Sequence, residues 1–440
     1  MEKLLTLAKQ KESEIEIFKT VSYLTSIDIL NGHIESMDNS YEGGISFRVI
    51  KNNKMGFAYT TNFDEDDLET ILEEAISNAE NSHEDKNQTI SLLPKEFKNI
   101  KTYNREIEEL ATQDKITLAL KTEEFAYKQD KRIKKTEKTS YIETQTKTTI
   151  INSNGINSSY NANYYGLMCD IIAEENGMQE SGSYFKIIKD IDKNLSEEVG
   201  TNAAKKACEL LNAKTISPQK IPLVFDPKVG AQLLEAISHL FSADEAQKGK
   251  SLLAKKMNQN IGSSILHIID DGKMKNGLSS SPFDDEGTPT QETILVESGK
   301  LIQFLHNNYT AKKEGKQSTG NGKRASYKFL PDVAPTNIFI KEGEIGPQEI
   351  ISKIKNGLFV TRVMGMHTIN PISGDFSIGA AGIMIENGEK TFPVRGITIA
   401  GNLLELLNSI ETIGDDLEFF PSSSNLGSPT LLINNIAISG

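Results

Sequence analysis

Glu235 and His239 stand four residues apart in Leu234-Glu235-Ala236-Ile237-Ser238-His239, a stretch that reads as part of one helix. At that spacing a glutamate and a histidine share a helix face. Metal peptidases use such a helix with two histidines. Both histidines hold zinc, and a glutamate beside the first takes a proton from the metal-bound water. Here Leu234 occupies the place of the first histidine, and a leucine has no lone pair for a cation. On a helical wheel Val229, Leu233, Leu234, Ile237, Leu240 and Phe241 cover an arc of roughly 140°, with Gln232, Glu235, Ser238 and His239 outside it. An amphipathic helix packed on a core accounts for that pattern without any site. One Glu and one His are a poor metal site unless ligands arrive from other elements.

Other residues carry weaker signals. Asp284-Asp285-Glu286 places three acids in a turn-rich loop, suited to a hard cation or to the amino terminus of a peptide. A solvated turn with Asx-type hydrogen bonds is the plainer reading. His306-Asn307 follows the apolar run Leu301–Leu305 and would face a cleft or close a strand end as a hydrogen-bonded histidine; His367 is similar. His33, His83 and His267 have no evident partners. Ser279-Ser280-Ser281 lacks the Gly-x-Ser-x-Gly elbow of a serine hydrolase. Thr319-Gly320-Asn321-Gly322 lacks the Gly-Lys-Ser/Thr ending of a phosphate loop, and no dinucleotide fingerprint is present.

The elements that must position these residues fall into three stretches. Residues 1–95 read helix, strands, helix: Leu4, Leu5 and Leu7 seed the first helix, period-2 alternation marks Glu14–Lys19 and Ile45–Ile50, and Asp64–Ala79 has helical spacing with an acidic first turn. Residues 83 to about 100 form a linker candidate. Residues 96–217 repeat the order, with helix at Gln113–Gln129, strands within Thr139–Lys189 and helix at Ser196–Asn212. Asn154-Gly155 followed by Gly166-Leu167 echoes Asn31-Gly32 followed by Gly44-Ile45, which suggests an internal duplication; recurrence of helix–sheet–helix units in α+β proteins is the alternative. From residue 218 to 440 the chain is strand-rich. Lys220–Phe225 reads as a strand, Asp226-Pro227 caps the helix of Glu235, and one further helix is expected near Pro347–Asn356. The fold class is therefore α+β: two helix–sheet–helix units, then a β-rich domain carrying one amphipathic helix.

Bulk properties narrow the function classes. The chain has 440 residues, enough for two or three domains, and an ordinary balance of 37% hydrophobic and 25% charged residues. A net charge of -13 argues against sequence-independent nucleic-acid binding. Two cysteines, Cys169 and Cys208, are too few for a disulfide framework or a cysteine-based metal site. The N-terminus shows no apolar signal region, and no run of ~18 apolar residues is present, so a cytoplasmic protein with no membrane contact is expected.

One constellation is more specific. Gly277-Leu278-Ser279-Ser280-Ser281-Pro282-Phe283-Asp284-Asp285-Glu286-Gly287-Thr288-Pro289-Thr290 is followed by Phe304-Leu305-His306-Asn307, Thr310-Ala311 and Ser318-Thr319-Gly320-Asn321-Gly322. Ser373-Gly374-Asp375-Phe376-Ser377, Ile385-Glu386-Asn387-Gly388, Pro393-Val394-Arg395-Gly396 and Ile413-Gly414-Asp415-Asp416-Leu417 complete it. Together these resemble the TldD/PmbA family, once named modulators of DNA gyrase, and within it the PmbA (TldE) branch. The resemblance spans nearly the whole chain; it is strongest from Pro222 onward and rests on element order before that.

The resemblance implies a cytosolic, peptidase-related protein. TldD-type chains carry His-Glu-x-x-x-His plus a cysteine near the C-terminus as zinc ligands. They pair with TldE-type chains to trim unfolded peptides, including microcin leaders and some antitoxins, and the TldE branch lacks the metal site. Carried over, Leu234 takes the first-histidine position, Glu235 that of the catalytic base and His239 that of the second histidine. The cysteine has no counterpart in Glu418–Asn425. The expectation is a metal-free subunit with no cofactor of its own, zinc belonging only to a TldD-like partner. Asp284, Asp285, Glu286, His306, Asn307, Gly320 and Asn321 are its peptide-cleft candidates. A strand edge in the C-terminal domain would hold the extended peptide. Two alternatives stand beside it: a self-sufficient metallopeptidase with Glu235 as base and ligands such as Asp284 or Asp285, and a homodimeric scaffold or regulator.

Overall fold

The computed structural model describes residues 1–439. Its first half runs α1 (Glu2–Gln10), β1 (Glu14–Leu30), β2 (His33–Lys51), β3 (Lys54–Thr60), α2 (Glu65–Glu80), α3 (Arg105–Glu108), α4 (Thr112–Gln129), β4 (Ile133–Asn152), β5 (Asn157–Glu175), β6 (Met178–Ile188) and α5 (Leu195–Glu209). The six strands make one antiparallel sheet in the order β3-β2-β1-β4-β5-β6, so the two helix–sheet–helix units share a single sheet. Its central pair is β1 and β4, in a register that sets Ile17 opposite Ile151 and Ser22 opposite Thr146.

Alternation dictates the layers. Ile15, Ile17, Ile45, Phe47 and Val49 turn to one face and bury against α1 and α2; Ile27, Ile29, Tyr141 and Leu167 bury under α4 and α5. The two ends are built alike. A Cβ on Gly56 of β3 would collide with the backbone of Ala75 and Ala79 on α2, and a Cβ on Gly182 of β6 with that of Ala203 and Ala207 on α5. In both, a bare strand residue admits a helix through alanines one turn apart.

Residues 81–104, which include the stretch from 83 to about 100 read above as a linker, form a strap tied along its length. Tyr309 donates to Asp85 (2.8 Å), Lys312 to the carbonyl of Gln88 (2.8 Å) and Asn308 to the hydroxyl of Ser91 (2.6 Å). Its polar residues carry hydrogen bonds to the second half and are not simply solvated.

The second half opens with β7 (Gln219–Phe225) and α6 (Pro227–Ser238). Asp226 caps α6 by accepting from the N–H of Val229 at 2.8 Å. One sheet orders Glu389–Asn402, Asp375–Glu386, Asn356–Met364, β7, Leu431–Ser439 and Ile410–Ile413; the other orders Lys300–Leu301, Glu292–Glu297, Ile268–Asp271, Asn337–Ile340, Asn425–Ser428 and Glu418–Pro421. The largest apolar core fills the space between them, with Val229, Leu233, Leu234 and Ile237 of α6 inside it. Besides Pro347–Ser352, helices form at Asn308–Lys313 and Leu403–Asn408, which the sequence reading did not anticipate. Each has six residues, too short for apolar periodicity to register, and each starts from an asparagine cap, Asn307 or Asn402.

Candidate functional site

The face of the first sheet opposite its helices packs on the second half through Phe18, Ile150, Ile156, Phe283 and Tyr327. Next to this contact the sheet carries small hydroxyls, because Thr20 and Ser22 of β1 stand opposite Thr148 and Thr146 of β4. Ser22 and Thr146 share a 3.0 Å hydrogen bond. These residues floor a cleft of about 400 Å³ whose far wall is Ser279–Ser281, Asp284, Asp285 and Gly320–Arg324.

Of the sequence candidates, Asp284, Asp285, Gly320 and Asn321 line this cleft. The acids are buried, not solvated, because the first sheet covers their loop. The Asx geometry is as expected: Asp284 accepts from the N–H groups of Glu286 (3.0 Å) and Thr288 (2.9 Å), and also from Gly322 (2.8 Å). Burial, then the neighbouring Glu286 carboxylate, pushes the Asp284 carboxyl well above its ordinary range. Asp285 accepts from the N–H of Arg324 at 2.8 Å. Asn321 donates to Asp270 at 2.8 Å, and burial holds Asp270 up at about 6.

Glu286 lies under the cleft, fully buried. Its Oε1 is 2.9 Å from Nη1 of Arg48, and its Oε2 accepts from the N–H of Asn308 at 2.8 Å. Arg48 also grips Glu16 with Nε (3.1 Å) and Nη2 (2.6 Å), and Arg324 reaches Glu16 at 2.6 Å. Two arginines and two glutamates thus lock the first sheet to the second half. Sequence reasoning missed this network. Glu16 and Arg48 alternate with Ile15, Ile17, Phe47 and Val49, which reads as a polar outer face until another layer covers it.

His306 and Asn307 lie elsewhere. Asn307 caps the helix Asn308–Lys313, accepting from Thr310 at 2.9 Å. The His306 ring is buried, neither nitrogen has a hydrogen-bond partner, and Nε2 is 3.8 Å from Glu314. It is therefore neither the cleft residue nor the hydrogen-bonded strand end expected. Burial lowers its pKa.

On α6 the wheel holds. Leu234 is 0% exposed within the core, and Glu235 turns outward. The α-helix ends at Ser238, so His239 begins a 3-10 turn and is not a residue of the regular helix. Burial also lowers the pKa of His239. The hydroxyl of Ser422 donates to Oε1 of Glu235, and the next residue, Ser423, lines the cleft. The loop after Glu418–Pro421, where the expected cysteine is missing, therefore joins the polar face of α6 to the cleft. A second cleft of about 720 Å³ runs between Tyr184–Asp192 and Leu417–Phe420.

Comparison with known proteins decides the family. The PmbA/TldA metallopeptidase C-terminal domain matches residues 218–440, the central domain of that family residues 105–211 and its domain 1 residues 15–79. The chain belongs to the PmbA/TldD family. An uncharacterised Methanocaldococcus jannaschii protein is 31% identical over 94% of this chain and 95% of its own length. The metalloprotease PmbA of Escherichia coli is 27% identical over 99% of this chain and 94% of its own. This agrees with the PmbA/TldE branch that the motifs indicate. A Thermotoga maritima structure described as a modulator of a DNA gyrase superposes with a TM-score of 0.91 at 31% identity, covering 100% of this chain and 99% of its own. TldE of Thermococcus kodakarensis shares the fold with a TM-score of 0.92 at 24% identity, covering 100% of both chains.

The zinc that a metallopeptidase name implies does not fit the residues present. The first-histidine position holds a core leucine, and Ser422 already engages Glu235. Cys169 and Cys208 belong to β5 and α5 of the first half. Among the described residues no three His, Cys, Asp or Glu side chains converge as a metal ion requires. No described helix is long and apolar enough to cross a membrane.

Proposed function

We propose that this chain is the zinc-free, PmbA/TldE-type subunit of a peptide-trimming pair, working in the cytoplasm with a TldD-like subunit that carries the metal. The observation that carries the reading is Leu234: the position that would hold a zinc-binding imidazole is an aliphatic side chain packed inside the core. What remains is a platform for peptide. The cleft floored by Thr20, Ser22, Thr146 and Thr148 offers hydroxyls and backbone to an unfolded chain. The edge strand Glu418–Pro421 borders the second cleft and ends beside Glu235 and Ser422. An extended peptide added to that edge is held by main-chain hydrogen bonds, which selects for lack of structure and not for particular side chains.

The test is digestion of an unfolded peptide by this chain alone, then mixed with a TldD-type chain, each with and without chelator. The reading expects cleavage only in the mixture, abolished by chelator. Cleavage by the isolated chain, or stoichiometric zinc retained after dialysis, would make it a self-sufficient metallopeptidase.

A further inference from the structure

The first sheet leaves one long edge bare. β3 pairs with β2 only from Ile45 to Lys51, and no described strand pairs with His33–Gly44 on the side away from β1. Every second residue of that stretch turns its N–H and C=O outward. The opposite end of the same sheet shows what such an edge takes. β6 pairs with β5 only from Tyr165 to Glu175, leaving Asn157–Tyr164 as the equivalent edge. There the extended strap lies alongside: Thr102 accepts from the N–H of Asn163 (3.1 Å) and donates its hydroxyl to the carbonyl of Asn161 (2.5 Å). The chain covers one edge with its own extended segment and leaves the other uncovered.

The bare edge carries apolar side chains as well as charge, so its charge selects a partner's sign and does not simply repel every strand. His33–Gly44 contains no proline, and its one bulge, at Glu35 opposite Asp28 and Ile29, lies close to the turn, so the ladder is regular from Ser36 onward. Tyr41 and Tyr23 meet across the ribbon as a tilted pair, ring centroids 5.1 Å apart, each residue 56% exposed, and Ile34 and Met37 are exposed beside them. Glu35, Asp38 and Glu42 lie on the same stretch, and none has an ion-pair partner among the described residues. Glu42 also lines the 400 Å³ cleft, so the edge leads into it.

We propose that the β2 edge from His33 to Glu42 docks an extended, positively charged segment of another polypeptide, which adds as a strand and enters the cleft at Glu42. Main-chain hydrogen bonds hold the segment, the tyrosines and Met37 cover its apolar side chains, and the three carboxylates select lysine or arginine. A second copy of this chain is disfavoured as occupant, because two such edges would bring six unpaired carboxylates into one short ribbon. The ligand class rests on the peptide-handling reading above.

The experiment is fluorescence anisotropy on the full chain at low salt with three labelled probes. One alternates lysine with threonine, one replaces lysine by glutamate, and one is the lysine peptide N-methylated at alternate residues. The lysine peptide is expected to bind, and the other two are expected to bind at least about tenfold more weakly. The surface variant Asp38→Lys/Glu42→Lys, with circular dichroism matching the parent, is expected to lose at least about tenfold in affinity for the lysine peptide. Equal binding of all three probes, unchanged affinity in the variant, or no binding of the lysine peptide would overturn the proposal. So would a dimer of the parent chain that the same variant dissociates, which would put a second copy on the edge. The measurement needs neither metal nor partner, so failure of the digestion test leaves it standing, and its failure leaves the digestion test standing.

Discussion

Ser422 donates a hydrogen bond to Glu235, while Leu234, one residue away, is sealed in the core. The neighbours serve opposite sides of α6. Truncating Leu234 removes packed methyls and leaves a cavity, so Leu234→Ala is expected to cost about 3 kcal/mol. Ser422→Ala removes a hydrogen bond near the surface and is expected to cost about 1 kcal/mol or less. Urea unfolding of both variants measures the contrast. Equal costs would mean that Leu234 does not anchor the helix.

The clamp between the halves makes a second expectation. Glu16 is fully buried and accepts from both Arg48 and Arg324. Glu16→Gln keeps the shape but leaves two buried guanidiniums with one fewer carboxylate. Burial alone would disfavour their charge; in Arg48, Glu16 and Glu286 outweigh it and raise the pKa. A loss of about 3 kcal/mol is expected, together with faster proteolysis of the strap at residues 81–104, whose bonds cross the same seam. A variant as stable and as protease-resistant as the parent would show that the apolar contact of Phe18 and Phe283 suffices.

How much of this was legible in the sequence depends on whether the signal is local. The cap at Asp226, the buried stripe of α6 and the order of elements in the first half follow from residues a few positions apart, and all are present. Pairing between distant stretches was not legible. Glu14 and Glu16 alternate identically, yet Glu16 meets Arg48 and Arg324 from far along the chain, and nothing local announces that partner. For the same reason the acids Asp284–Glu286 read as a solvated turn and are buried. His306 differs: a strand-end histidine usually finds a hydrogen-bond partner, and this one has none among the described residues, with the Glu314 carboxylate 3.8 Å away.

The paired glycines make a third expectation. A methyl at Gly56 or Gly182 has no space, because the obstacles are helix backbone atoms and not movable side chains. Gly56→Ala should lift α2 and Gly182→Ala should lift α5, each at about 2 kcal/mol. Hydrogen exchange should localise each effect to its own end of the sheet. Exchange that quickens at both ends in either variant would contradict two independent helix seats.

The last expectation concerns pH. Burial pushes the Asp226 carboxyl from 3.8 up to about 6, although the Val229 N–H and Lys206 favour its charge. Between those values the folded chain binds more protons at this site than the unfolded chain. Its contribution to stability is therefore full below about pH 4 and is lost as pH rises through 6. Asparagine caps a helix as well as aspartate does, so Asp226→Asn keeps the bond to Val229 and removes the buried charge. The variant should be more stable than the parent by about 3 kcal/mol at pH 7.5, and the difference should vanish near pH 4. Denaturant unfolding at the two pH values measures it. A variant less stable at pH 7.5, or a difference that does not change with pH, would mean that the charged form of Asp226 is the one this helix start requires.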